Sequence, residues 1–164
     1  IEKLFALRDF LVFGDQSNDQ PLIKATSAWL LMDLKTKRPH KIQRLEKPMP
    51  SSTTHAVETT PEKITPPSRK SHSYSVTVGR THLDANFHTN NANYIFWVEN
   101  VLPIDWCSKH QIHTFQINFL AESFVGDLLT IECDLKEDCY GRIFNQNNKD
   151  IAHFYLGFST RSVL

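Results

Sequence analysis

The sequence predicts an α+β fold in which an antiparallel sheet wraps one central helix, and two observations carry that prediction. Tyr94, Ile95, Trp97, Val98, Val101 and Leu102 cover most of the circumference of one helix, so it should be buried on several sides. One strand-like segment precedes this helix and four follow it, marked by alternating apolar and polar residues and by turn signals. Wrapping the sheet around the helix is the economical way to bury a helix this apolar.

Bulk properties narrow the function classes. A chain of 164 residues can build one good core or two small domains. Its 18 basic and 18 acidic residues cancel, which gives no case for nucleic-acid or membrane binding. No apolar run approaches the roughly 20 residues needed to span a bilayer. Cys107, Cys133 and Cys139 lack metal-ligand spacing and read as free thiols in a reducing compartment. The chain starts at Ile1 without a Met, so a preceding segment, including a targeting peptide, stays open.

In chain order, residues 2–13 read as a strand, Gly14 to Asn18 as a turn cluster and residues 22–33 as a second strand. The pair predicts an antiparallel hairpin that must join a larger sheet, because two strands alone are not stable in water. Lys35 to Lys47 turns basic, through Lys37, Arg38, Lys41 and Arg44. That run reads either as a solvated surface or as a docking patch for an acidic partner. Pro48 to Pro67, rich in Pro, Ser and Thr, reads as a linker. The expected division is 1–44 as part of a first domain, 45–70 between domains, and 71–164 as a second domain.

In residues 71–80, Tyr74, Val76 and Val78 face one way and Ser73, Ser75 and Thr77 the other. A polar loop with Asp84, Asn86, His88, Asn90 and Asn91 leads into the helix. Asn90 or Asn91 can cap it through a side-chain oxygen, and Pro103 stops it. A short segment over 104–111 precedes strands at Ile112–Ala121, Leu128–Lys136, Tyr140–Phe144 and Ile151–Thr160. Gly126-Asp127 and Asn145 to Asp150 supply turns.

The loop sets acid, amide and imidazole groups beside the positive end of a helix, which stabilises an anion. His82, Asp84 and His88 could instead hold a metal, although their spacing matches no metal signature. Cys107 with His110 is a weak nucleophile–base pattern. As a purely structural set, the Asp and Asn residues are caps and turn formers.

The run LDANFHTNNANY resembles the signature loop of the acyl-ACP thioesterases, enzymes of plants and bacteria built from two hotdog domains. Two further segments strengthen the resemblance. ALRDFLVF with IKATSAWLLMDLKTKRPHKI is similar to the strands and basic turn closing the first hotdog domain, and INFLAESFVGD to the strand carrying the catalytic Glu. The resemblance implies one complete hotdog domain plus part of another, because the opening strand and helix of the family's first domain have no counterpart before Ile1.

It also implies hydrolysis of fatty acyl thioesters on acyl carrier protein, without cofactor or metal. Asp84, Asn86, His88 and Glu122 would be catalytic, with Asn90, Asn91, Tyr94 and Trp97 against the substrate. Glu122 would activate water or attack directly, His88 would hold the water or protonate the thiolate, and Asp84 would orient His88 and Asn86. Glu99 is the alternative carboxylate. Plant members carry a Cys after the catalytic Glu; Ser123 stands there, so catalysis cannot depend on a thiol at that position. The carrier is acidic, which makes Lys37, Arg38, Lys41 and Arg44 its expected docking residues. A bacterial cytoplasm is expected, with a plastid as the alternative, and a homodimer stays open. An acyl-CoA thioesterase, a hotdog dehydratase and a non-catalytic acyl-binding module are the competing classes.

Overall fold

The computed structural model describes residues 4–14, 20–33, 35–36, 38–39, 41 and 51–161. The chain divides into two compact units between Glu62 and Lys63. In the first, β1 (Phe5–Val12) and β2 (Ile23–Leu30) pair antiparallel, from Phe5 opposite Leu30 to Val12 opposite Ile23. The predicted hairpin is present, and it leaves Leu11, Ile23 and Trp29 exposed within its unit. Beyond it, the Asp33 carboxylate accepts from the N–H groups of Lys35 and Thr36, which opens the basic turn. Arg38 and Lys41 are exposed, whereas Lys37, Arg44 and Lys47 lie outside the described residues.

The second unit holds a five-stranded antiparallel sheet. Its strands are β3 (His72–Thr77), β4 (His110–Phe119), β5 (Leu128–Leu135), β6 (Cys139–Asn145) and β7 (Asp150–Thr160). They lie in the order β3-β5-β6-β7-β4. Helix α1 (Asn91–Asn100) packs Tyr94, Trp97 and Val98 into one core with Leu129, Ile131, Ile143, Phe154 and Leu156. Alternation explains β5: Leu129, Ile131 and Cys133 are fully buried, while Thr130, Glu132 and Asp134 are only partly so. Among the described residues no helix is long and apolar enough to cross a membrane.

Three details depart from the expectations. First, α1 is buried along one stripe rather than on several sides. Residues 94, 97, 98, 101 and 102 form that stripe at helical spacing, whereas Ile95 and Phe96 are 41% and 62% exposed. Second, regular helix ends at Asn100, and Pro103 does more than stop it. Its carbonyl accepts from the N–H groups of Trp106 and Cys107 and so starts a short helix α2 (Ile104–Lys109).

Third, the break between units falls inside the expected linker, and Ile64 and Lys70 bond to the second unit's sheet. The Ile64 N–H donates to Asn118 Oδ1 at 2.6 Å, and its carbonyl lies 3.2 Å from His153 Nδ1. Lys70 bonds Glu132 at 2.7 Å. This cover explains why His153 and Phe154, on opposite faces of β7, are both buried.

All three cysteines are free. A hydrogen bond with the Cys133 sulfur, reinforced by burial, pushes the Cys139 thiol far up.

Asn90 is the cap of α1, accepting from the Ala92 N–H at 3.0 Å. Asn90→Ala should lower unfolding free energy by about 1 kcal/mol in urea titration. An unchanged midpoint would show that the Asn90 backbone alone sets the helix start.

Candidate active site

The site is built from two segments sewn together. After β3, a single 3-10 turn (Arg80–His82) brings the chain to Asp84. The Asp84 carboxylate accepts from the N–H groups of Asn86 (2.8 Å) and His88 (3.2 Å). The Asp84 N–H donates to the His88 carbonyl at 2.8 Å. These bonds close a tight turn with Phe87 in the left-handed region (φ 62°), a conformation a bulky side chain adopts only under such constraint. Asp84 therefore orients His88 through its backbone rather than through its imidazole.

Glu122 arrives from the other side, three residues beyond the end of β4 at Phe119. The Leu120 and Ala121 N–H groups donate to the Ile151 carbonyl, which turns the chain out of the sheet. Farther along, the Phe124 N–H donates to Asp127 and the Gly126 N–H to the Val78 carbonyl. The Val78 N–H donates in turn to the Asp127 carbonyl. Between these ties lies a second link: the Thr89 N–H donates to the Ser123 carbonyl at 3.0 Å.

The result is His88 Nδ1 at 3.4 Å from Glu122 Oε1. The two side chains are 38% and 64% exposed, so the pair opens to solvent. Phe124 packs edge-on against the His88 ring. The pair lies on a cavity of about 340 Å³. Asp84, His88, Thr89, Asn91 and Glu122 form its polar wall, and Tyr94, Phe119, Leu120 and Ala121 the rest. The first turn of α1 adds a donor: among the described residues the Asn91 N–H has no hydrogen-bond partner. A carboxylate, an imidazole and an open helix terminus around one cavity can move a proton and hold an oxyanion.

Other sequence candidates fall elsewhere. Asn86 is exposed on the turn and Asn90 spends its side chain on the cap, both outside the cavity wall. Trp97 is buried behind Tyr94, edge-on to it and to His82. His82 Nδ1 accepts from the Gly79 N–H at 2.9 Å, so its ring serves the turn and does not converge with Asp84 and His88. The His110 ring stacks on Trp106 with Nδ1 3.1 Å from the Trp106 carbonyl, which occupies it away from Cys107. Glu99, exposed on α1, does not line the cavity.

Thr89 and Ser123 were not singled out as site residues by sequence reasoning. Their role depends on a contact across 34 positions of chain that no local spacing encodes. Burial holds the Tyr94 hydroxyl above its ordinary range, so it stays a neutral phenol.

Residues 65–156 match the acyl-ACP thioesterase C-terminal domain, and residues 1–45 match the N-terminal domain of the same family. A chloroplastic acyl-[acyl-carrier-protein] hydrolase of Cuphea viscosissima is 26% identical over an alignment of 135 positions that covers 77% of this chain and 32% of that protein. Among solved structures, the 12:0-ACP thioesterase of Umbellularia californica superposes with a TM-score of 0.81 at 20% identity over 98% of this chain. An acyl-ACP thioesterase of Bacteroides thetaiotaomicron gives 0.75 at 21% identity over 97%. These likenesses show the hotdog fold. The chain spans 65% of the length of each of these structures, and about a third of the Cuphea protein.

Proposed function

The chain belongs to the acyl-ACP thioesterase family, and from that premise we propose that it hydrolyses fatty acyl thioesters of acyl carrier protein to free fatty acid and carrier thiol. The observation that carries this reading is the His88–Glu122 pair, 3.4 Å apart on a cavity that also holds Asn91 and an apolar wall.

In this reading the thioester carbonyl lies beside the start of α1. Glu122 takes a proton from water as the oxygen attacks the carbonyl carbon. The Asn91 N–H, at the open start of α1, holds the oxyanion. Collapse breaks the C–S bond, and His88 protonates the departing thiolate. Proton transfer from Glu122 back to His88 across their short separation restores the pair. The acyl chain lies along Tyr94, Phe119 and Leu120. Asn90 and Trp97 act indirectly, Asn90 by capping α1 and Trp97 by backing Tyr94.

Exposed Arg38 and Lys41, with Lys37 and Arg44 in the same basic run, are the proposed contacts for the acidic carrier. A bacterial cytoplasm is the proposed compartment, on the strength of Ser123; a plastid is the alternative. A homodimer is the proposed assembly.

The test is steady-state hydrolysis of one acyl chain on acyl carrier protein and on coenzyme A. The expected result is turnover of both, with the carrier protein preferred. Arg38→Glu with Lys41→Glu should reduce kcat/KM on the carrier protein roughly tenfold and spare the coenzyme A thioester. Equal loss on both would make the patch structural, preference for coenzyme A would reassign the carrier, and no turnover of either would sink the hydrolase reading.

A further inference from the structure

Ser123 is fully buried, although it follows an exposed glutamate on an irregular segment. Its Oγ lies 2.6 Å from Thr89 Oγ1 and 2.8 Å from the Tyr94 hydroxyl, and Thr89 Oγ1 lies 3.1 Å from the Ser123 carbonyl. One donor assignment uses each hydroxyl proton once. Tyr94 donates to Ser123 Oγ, Ser123 donates to Thr89 Oγ1, and Thr89 donates to the Ser123 carbonyl. With the Thr89 N–H bond to that same carbonyl, three elements meet at one residue: the histidine loop, helix α1 and the glutamate segment.

The position of this knot gives it a purpose. Thr89 follows His88 directly, and Ser123 follows Glu122 directly. Both members of the reactive pair are otherwise partly exposed, and Glu122 has no other polar partner among the described residues. Exposed side chains lose rotamer freedom when held in one geometry, so something rigid must fix their backbones.

We propose that Ser123 is a positioning residue whose buried hydroxyl, held between Thr89 and Tyr94, sets the separation of His88 and Glu122. It touches neither substrate nor reacting atoms and acts through Glu122. This rests on the hydrolase reading above for its kinetic consequence, although not for its geometry. In this chain a buried hydroxyl fills the position next to the carboxylate, and its worth lies in hydrogen bonding rather than nucleophilicity.

The test is a double-mutant cycle of Ser123→Ala with Glu122→Gln, read by single-turnover hydrolysis and by thermal melting. Misplacement of the carboxylate should make Ser123→Ala lower the rate roughly 10- to 100-fold, with KM within about twofold. In the Glu122→Gln background the same change should cost nothing further, because there is no carboxylate left to place. Thr89→Val, which keeps the backbone link but removes the hydroxyl, should reproduce a smaller loss. A crystal structure of Ser123→Ala should show His88 and Glu122 separated beyond ion-pair distance.

An equal rate loss in both Glu122 backgrounds would reduce Ser123 to a general stability role and overturn the proposal. So would an unchanged rate with an unchanged His88–Glu122 separation. If the unmodified protein hydrolyses no acyl thioester, the hydrolase reading fails by itself. The crystallographic separation in Ser123→Ala then decides the positioning role alone, and an unchanged separation rejects it.

Discussion

Glu122→Gln should reduce single-turnover thioester hydrolysis by roughly 10²–10⁴-fold, the range for loss of a positioned general base. Glu99→Gln should leave the rate within about twofold. The two carboxylates differ in where the fold sends them. Glu99 is exposed on α1 and does not line the cavity, whereas Glu122 reaches within 3.4 Å of His88 and shares its cavity. Glutamine keeps the size and the hydrogen-bonding oxygen of glutamate but cannot accept a proton from water. A stability difference will not confuse the result, because Glu122 is 64% exposed and supports no core contact. A large loss in Glu99→Gln with none in Glu122→Gln would reverse the assignment.

Gly141→Ala should destabilise the second unit by about 3 kcal/mol, at the upper end of ordinary overpacking. That corresponds to a fall of roughly 10 °C in Tm for a chain of this size. Gly141 lies in β6 opposite Phe154 of β7 and Cys133 of β5. A Cβ there would run into Phe154 Cζ and lie 2.5 Å from the Glu132 carbonyl oxygen. Phe154 is fully buried and cannot swing away freely, and the carbonyl is sheet backbone. Gly126, by contrast, has open space around it, and its positive φ of 91° is the reason a side chain is disfavoured there. A melting curve of Gly141→Ala within about 2 °C of the parent would mean that β5 and the Phe154 ring yield more easily than packing at this density allows.

Much of the scaffold was legible because its signals are local. The two-residue alternation in β5 placed Leu129, Ile131 and Cys133 in the core, and the loop before α1 offered Asn90 or Asn91 as its cap, of which the fold uses Asn90. The failures have equally definite causes. Ile95 looked like core because composition alone cannot say how many sides of a helix have neighbours. The stretch before β3 looked like a linker throughout, because its Pro, Ser and Thr content says nothing about Asn118, His153 and Glu132 waiting on the sheet.

The same division runs through the site. Short-range chemistry in the sequence by itself determined the tight Asp84–His88 turn, the capped helix beside it and the strand that leads toward Glu122. Only the tertiary structure decided that His88 and Glu122 meet, that Asp84 works through backbone N–H groups, and that Ser123 joins Thr89 and Tyr94 in a buried knot. A turn or cap is satisfied by residues within four positions, whereas an ion pair or a hydroxyl chain across 34 positions exists only after the sheet has brought its ends together.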